Sequence, residues 1–172
     1  EGYPSKFFIK NVINTHPDQV TLVPDPPDSL TSSFGWNCKE HKNFLDDIVK
    51  EFQSHQIRVS LFVSPSIYTL ENLSDIKPNR VELYTFDYAH NFSSDKINSI
   101  KPYKEVVNFI ENNMSYIELN AGHDLNLENL DYLLKEIQYI KEVSIGHALV
   151  IDAFTFGLKE TIKKYRSITQ NN

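Results

Sequence analysis

Two glycine–histidine pairs, Gly122-His123 and Gly146-His147, lie 24 residues apart near the C-terminus. Each pair follows an apolar run typical of a β-strand and precedes a segment of helical character. Glycine lets a ligand approach the backbone closely, and histidine is the side chain whose protonation changes near neutral pH. Because α/β enzymes assemble their sites at the carboxyl ends of strands, the two pairs predict an active site.

The second pair opens the last predicted helix, where backbone amides have no intrahelical partner and attract phosphate. Barrel enzymes often bind phosphate in the loops after their last two strands. The alternative is that Gly146 only permits a tight strand-to-helix turn. Similarly, Thr31 either donates a hydroxyl hydrogen bond to a phosphorylated ligand or orders its own loop.

A carboxylate stands inside a third apolar run, at Glu82. An ionised carboxylate on a buried strand costs several kcal/mol unless it is paired or neutralised. Glu82 is therefore either a solvent-facing residue of an edge strand or an interior acid, base or electrostatic stabiliser. Glu118, in the fourth run, competes for that interior role.

The elements that must position these residues alternate between strand and helix, which favours a parallel α/β architecture. Five short runs are predicted to be buried parallel strands, and four longer patterns are predicted to be helices. The strands are 20–23, 59–63, 81–84, 116–119 and 143–145; the helices are about 4–14, 44–52, 102–113 and 148–168; long loops are expected at 25–37 and 85–95.

The only cysteine, Cys38, is expected to be a buried or incidental thiol.

Composition and charge disfavour several kinds of partner and site. The 172 residues suit one core, and the net charge of −6 with scattered Lys and Arg disfavours a nucleic-acid partner. No apolar run approaches 18 residues, which disfavours a membrane partner. A single cysteine favours a reducing, cytoplasmic location. The histidines lack metal-ligand spacing, so no metal site is expected.

Seven strings in collinear order resemble the pyridoxine 5′-phosphate synthase family over nearly the whole chain. The Asn-Ala-Gly-His and Ile-Gly-His-Ala strings are the most specific of them. The strings are 20–24, 30–33, 59–63, 81–85, 88–89, 120–123 and 145–148, with a further likeness at 156–158.

The resemblance implies a TIM (β/α)₈ barrel, of which residues 1–172 would be the C-terminal portion with about five of eight strands. That family condenses 1-deoxy-D-xylulose 5-phosphate with 3-amino-2-oxopropyl phosphate, releasing phosphate and water. It uses no metal or organic cofactor and assembles as a homo-oligomer, usually an octamer. A complete barrel takes about 250 residues, and position 1 is not Met. We therefore expect a truncated or processed chain that is inactive alone.

The resemblance also assigns roles by position. The family's proton donor falls on His123, its transition-state stabiliser on Glu82, and its proton acceptor on Glu1. The xylulose phosphate is held at Thr31, and the phosphate-binding Gly-His pair falls on Gly146 and His147. None of these residues is expected to bind a metal.

Two positions depart from the family pattern. Asp124 stands where the family usually has a glycine whose amide contacts phosphate, and a carboxylate there repels phosphate unless it points away. Phe86 stands where the family has the glycine of His-Thr-Gly. These departures keep two alternatives open, a non-catalytic phosphate-binding or assembly remnant of the fold, and another phosphate-handling barrel enzyme, an isomerase or aldolase.

Overall fold

The computed structural model describes residues 1–170 and contains five strands and eight α-helices in that range. One short 3₁₀ turn, Ile67–Leu70, precedes the third helix. The strands are β1 Gln19–Leu22, β2 Arg58–Val63, β3 Arg80–Tyr84, β4 Glu118–Gly122 and β5 Ile140–Ser144. The helices are α1 Lys6–Thr15, α2 Lys42–Ser54, α3 Leu73–Ile76, α4 Phe86–Ser99, α5 Lys101–Asn113, α6 Leu130–Glu136, α7 His147–Phe156 and α8 Leu158–Gln170.

The five strands form one sheet in chain order, and every neighbouring pair is parallel. The sheet curls strongly, so that side chains of its first and last strands meet. The side-chain amide of Gln19 on β1 donates to Glu142 on β5 at 3.2 Å. This parallel, helix-flanked and curled sheet confirms the predicted α/β class as a partial TIM barrel.

The first residues extend the sheet past β1. Gly2 forms an isolated parallel bridge with Leu22, donating to the carbonyl of Thr21 at 3.1 Å and accepting from Val23 at 3.1 Å. The bridge fixes Glu1 at the carboxyl end of β1. Such a short segment leaves most of that strand's outer edge without a backbone partner in the described residues.

The apolar core lies between the sheet's outer face and the helices. The helix predicted over 44–52 is confirmed as part of α2, and its residues Leu45, Val49 and Phe52 are fully buried, whereas Phe44 is exposed. The three buried residues join a core cluster with strand residues such as Val59 and Leu61. Burial of each such side chain contributes about 1.5–3 kcal/mol, so this layer holds the strands in place.

The inner face of the sheet is polar. The guanidinium of Arg80 donates to Glu118 and Asn120 of β4 and pairs with Glu142 of β5 at 2.7 Å. Arg80 is 8% exposed, so its charge requires these partners. Glu118 therefore anchors the arginine and does not compete for the interior role considered above.

Three expectations about the elements are wrong. Of the loop expected at 85–95, residues 86–95 form the first part of α4, because buried Tyr88 and partly buried Phe92 give that polar segment an apolar stripe. The last predicted helix is two helices, because Gly157 takes a φ of 78° between them. The fifth strand is an exposed edge strand, with Glu142 and Ser144 among its exposed residues.

Helix α7 is apolar yet contains no buried residue. Its exposed side chains include Val150, Ile151 and Phe154, the last 89% exposed. Contiguous apolar exposure of this kind marks a surface that another element covers. Between residues 1 and 170, no helix combines the length and apolarity needed to cross a membrane.

Candidate active site at the carboxyl ends of the strands

Glu82 lies on β3, the central strand, with its side chain on the inner face. It is 3% exposed, which excludes the solvent-facing alternative. The register places it between Phe62 of β2 and Asn120 of β4. Gly122 lets the carboxylate sit close to β4, because a Cβ at that position would lie 2.2 Å from Glu82 Oε1.

Burial raises the pKa of the Glu82 carboxyl from 4.5 to about 7, and the negative charge of Glu1 acts in the same direction. Hydrogen bonds from Ser144 and Thr21 oppose that rise, the Thr21 hydroxyl lying 3.5 Å from Glu82 Oε2. A carboxyl group with a pKa near neutrality is present in both protonation states at pH 7, so it can both accept and donate a proton.

The raised pKa predicts a pH-dependent stability. Folded Glu82 holds its proton more tightly than unfolded Glu82, so its contribution is present below pH 4.5 and is lost as the pH rises to about 7. The loss is about 3 kcal/mol. Denaturant unfolding of the complete protein at several pH values, compared with Glu82→Gln, measures it. A constant difference between the two proteins from pH 4 to about 8 would contradict the buried, titrating carboxyl.

His123 follows β4 in an unusual backbone conformation. Its φ is 95°, and that of Asp124 is 56°, a region that favours glycine. The Thr85 hydroxyl shares its one hydrogen between the carbonyls of Gly122 and His123, at 2.7 and 2.5 Å, and the Asn129 amide donates to the carbonyl of Asp124 at 3.2 Å. Strained backbone held by such contacts is typical of functional sites.

The imidazole of His123 contacts polar groups on both nitrogens. Nε2 lies 3.1 Å from the Thr31 hydroxyl, and Nδ1 lies 3.3 Å from Asp124 Oδ2. The ring packs perpendicular to that of Tyr84, with 4.8 Å between the centroids, and Phe62 and Phe86 lie next to it. The structure thus brings Thr31 and His123 together across 92 residues of sequence.

A cavity of about 390 Å³ lies beside this contact. Its walls include Glu1, Thr31, Ser32 and His147, and the Ser32 hydroxyl lies 3.4 Å from Glu1 Oε1. Glu1, Thr31 and His147 therefore share one opening, although they come from an extension of the sheet, a loop and a helix.

Gly146 is the residue before α7 and does not itself line the cavity. A Cβ built on it meets nothing within 4 Å, so the space before the helix is open. The first amides of the helix have no intrahelical partner and carry partial positive charge. Together with His147 they can receive an anion at the edge of the cavity.

This arrangement is suited to proton transfer on a small anionic substrate. It offers an imidazole, a near-neutral carboxyl group, a second carboxylate at Glu1 and an anion-accepting helix start. Within the described residues, no group of three His, Cys, Asp or Glu side chains is placed to hold a metal ion.

Comparison with known proteins identifies the family. The family model described as "Pyridoxal phosphate biosynthesis protein PdxJ" matches residues 1–171. The chain belongs to the PdxJ family. Its relatives include proteins named pyridoxine 5′-phosphate synthase from several bacteria. That of Parabacteroides distasonis is 44% identical over 167 residues, 97% of this chain and 69% of the relative.

Two further relatives carry the same name. The protein of Cytophaga hutchinsonii is 46% identical over 165 residues, 96% of this chain and 68% of its own. The protein of Bacteroides fragilis is 44% identical over 167 residues, 97% of this chain and 70% of its own. Membership of the PdxJ family places the chain among proteins of vitamin B6 biosynthesis.

Sequence reasoning missed several residues of this PdxJ site. Thr21 and Ser144 contact Glu82 from two other strands, and Asp25 accepts from the backbone and hydroxyl of Ser33 at 2.9 and 2.8 Å. These bonds order the loop that carries Thr31. A polar residue inside an apolar strand run is the signal that could have indicated Thr21.

The departures at Asp124 and Phe86 are both accommodated. The Asp124 carboxylate turns toward His123. Phe86 opens α4 and stacks between Tyr84 and His90, with interplanar angles of 16° and 12°. Cys38 is fully buried, and burial raises the pKa of its thiol to about 12, so it is an inert core residue.

Proposed function

We propose that this chain supplies the catalytic rim of a pyridoxine 5′-phosphate synthase. The reaction would be the condensation of 1-deoxy-D-xylulose 5-phosphate with 3-amino-2-oxopropyl phosphate to pyridoxine 5′-phosphate, phosphate and water. The observation that carries the proposal is the contact of His123 Nε2 with the Thr31 hydroxyl beside a cavity shared with Glu1 and His147. The family match supports the same assignment.

The residues divide into two groups in this proposal. His123 donates a proton to a departing oxygen, Glu82 stabilises charge as the ring forms, and Glu1 accepts a proton. Thr31, Gly146 and His147 hold the phosphate groups of the substrates. Glu82 suits its role because a buried carboxylate interacts strongly with positive charge that develops next to it. Its pKa near 7 means that the carboxyl group is partly ionised at neutral pH.

The direct test is an assay of the complete protein with both phosphorylated substrates, following pyridoxine 5′-phosphate and released phosphate together. We expect the two products to form in equal amounts. Formation of neither product by a folded complete protein would favour the alternative, a non-catalytic phosphate-binding or assembly protein, which Asp124 and Phe86 suggest from sequence.

Phosphate binding at the start of α7 is a separate prediction. Millimolar inorganic phosphate should shift the amide resonances of Gly146 and His147 in the complete protein, because unpaired helix amides attract anions. Gly146→Ala should weaken the effect without unfolding, since the added Cβ meets nothing within 4 Å. The amide of Gly157 serves as the remote control. Equal shifts at all three residues would indicate a general salt effect and contradict the site.

We further propose that residues 1–172 form the C-terminal portion of one (β/α)₈ barrel, and that the complete protein assembles as a homo-oligomer. The outer edge of β5 and the apolar side chains of α7 support both proposals, because each requires a covering element. The remaining barrel strands would cover the outer edge of β5. Either those strands or a second copy of the protein would cover the apolar side chains of α7.

A further inference from the structure

The carboxylate of Asp124 occupies a position next to the proposed proton donor. Its Oδ2 lies 3.3 Å from His123 Nδ1, and the Thr31 hydroxyl lies 3.1 Å from Nε2 on the opposite side of the ring. The three groups therefore form a continuous carboxylate–imidazole–hydroxyl chain. The side chain of Asp124 is 39% exposed and that of His123 16%, so the chain runs from solvent into the site.

The order of protons along this chain follows from its chemistry. An ionised carboxylate has no proton to donate, so a hydrogen bond between Asp124 and Nδ1 requires the hydrogen to be on Nδ1. In a neutral imidazole the other nitrogen, Nε2, is then an acceptor, and the Thr31 hydroxyl donates to it. The Nε2 lone pair is thus engaged by the hydroxyl of Thr31, a residue that lines the cavity.

The backbone that places Asp124 beside the imidazole is in a conformation that costs conformational free energy. Two consecutive residues with positive φ, at 95° and 56°, bring the Asp124 side chain back toward the imidazole of its neighbour. Bonds from Thr85 and from buried Asn129 hold the turn. Glycine would adopt the backbone of position 124 more easily, but aspartate also occurs in this region and can form local hydrogen bonds there.

We propose that Asp124 is a positioning residue, which fixes the Nδ1–H tautomer of His123 and so directs Nε2 toward Thr31 and the substrate. In this role its carboxylate acts through the imidazole and not on the reacting atoms. When His123 is protonated, the carboxylate also stabilises the imidazolium, which prepares the ring to donate from Nε2. The activity consequence rests on the proposed function, but the tautomer does not.

The test is ¹⁵N spectroscopy of imidazole nitrogens in the complete protein, with His123 assigned from a His123→Gln sample. We expect neutral His123 to be the Nδ1–H form. Asp124→Gly should remove that preference while the protein stays at least as stable, because glycine relieves the positive φ. Asp47→Asn, a change to an exposed carboxylate of α2, should leave the tautomer unchanged.

The kinetic arm compares the same variants in the synthase assay. Asp124→Gly should lower kcat by about 10- to 100-fold with a smaller change in KM, less than the loss of His123 itself. An Nε2–H tautomer in the unsubstituted protein, or one unaffected by Asp124→Gly, would overturn the inference. If the tautomer behaves as expected and no protein shows turnover, the positioning role stands and the proposed function fails.

Discussion

Turnover of the complete protein is expected to fall by about 10²- to 10⁴-fold when His123 is replaced by alanine. That range is the usual contribution of a positioned general acid or base. Its reason here is local, because Thr31 and Asp124 contact both ring nitrogens and Tyr84 packs perpendicular to the ring. An untethered water molecule cannot replace a group held in this way. The measurement is kcat with both phosphorylated substrates at saturation.

The matched control is His55→Ala. His55 follows α2, at the end of the sheet opposite the proposed site, and is exposed. The His55→Ala protein should retain normal turnover. Unfolding curves of both variants show whether the fold is kept, since truncating His123 removes packing against Phe62 and Tyr84. Near-normal turnover of a folded His123→Ala protein would mean that another group donates the proton.

The strands were predictable because buried parallel strands are nearly continuous in apolar residues. All five predicted runs overlap an observed strand, although β4 begins two residues later than expected and extends to Gly122. That shift matters, because it places Gly122 inside the sheet against the Glu82 carboxylate. Periodicity alone could not show which face Glu82 occupies, since that depends on its pairing with β2 and β4.

The errors have physical causes in tertiary packing. Residues 85–95 are rich in polar side chains, and only the fold shows that Tyr88 packs into the core and bonds to the carbonyl of Asn129 at 2.6 Å. The fifth run is apolar enough for a buried strand but lies at the sheet's exposed edge. The break at Gly157 was also missed, because a single glycine inside a helical pattern is often tolerated and does not by itself show that the helix ends.

The candidate site was only partly visible in the sequence. Glycine and histidine at strand ends and a glutamate inside a strand indicated its location, Thr31 was one of two readings of its loop, and the resemblance supplied Glu1. The partners that orient these groups were not predictable, because they are distant in sequence: 92 residues separate Thr31 from His123, and 61 separate Thr21 from Glu82. The charge state of Glu82 likewise depends on burial that only the folded sheet provides.

Residues 1–172 alone are expected to show no synthase turnover, the largest effect of any experiment proposed here. In the described residues β5 has no backbone pairing with the short segment at Gly2, so the sheet does not close into a barrel and water can approach the proposed site along its unpaired edges. Proton transfers that depend on a low-dielectric surrounding lose much of their advantage when water enters. The relatives are also longer, since the matched region is only 69% of the Parabacteroides distasonis protein.

Stability should be affected as well. Val150, Ile151 and Phe154 on α7 are more than half exposed. Burying each of them would contribute about 1.5–3 kcal/mol, or roughly 5–9 kcal/mol together. A domain's net stability is only about 5–15 kcal/mol. The isolated 172 residues should therefore unfold at low denaturant concentration or self-associate, which light scattering and urea titration will measure.

A complementation experiment distinguishes a chain that is inactive because its barrel is incomplete from one whose fold is wrongly assigned. The part of the Parabacteroides distasonis relative that this chain does not match is expressed separately and mixed with residues 1–172. We expect turnover only in the mixture, because the added strands would pair with the open edges and close the site. A mixture containing His123→Ala should stay inactive, which excludes activity from the added part. Full turnover by residues 1–172 without the added part would show that five strands suffice, and that the open side of the sheet does not admit water to the reaction.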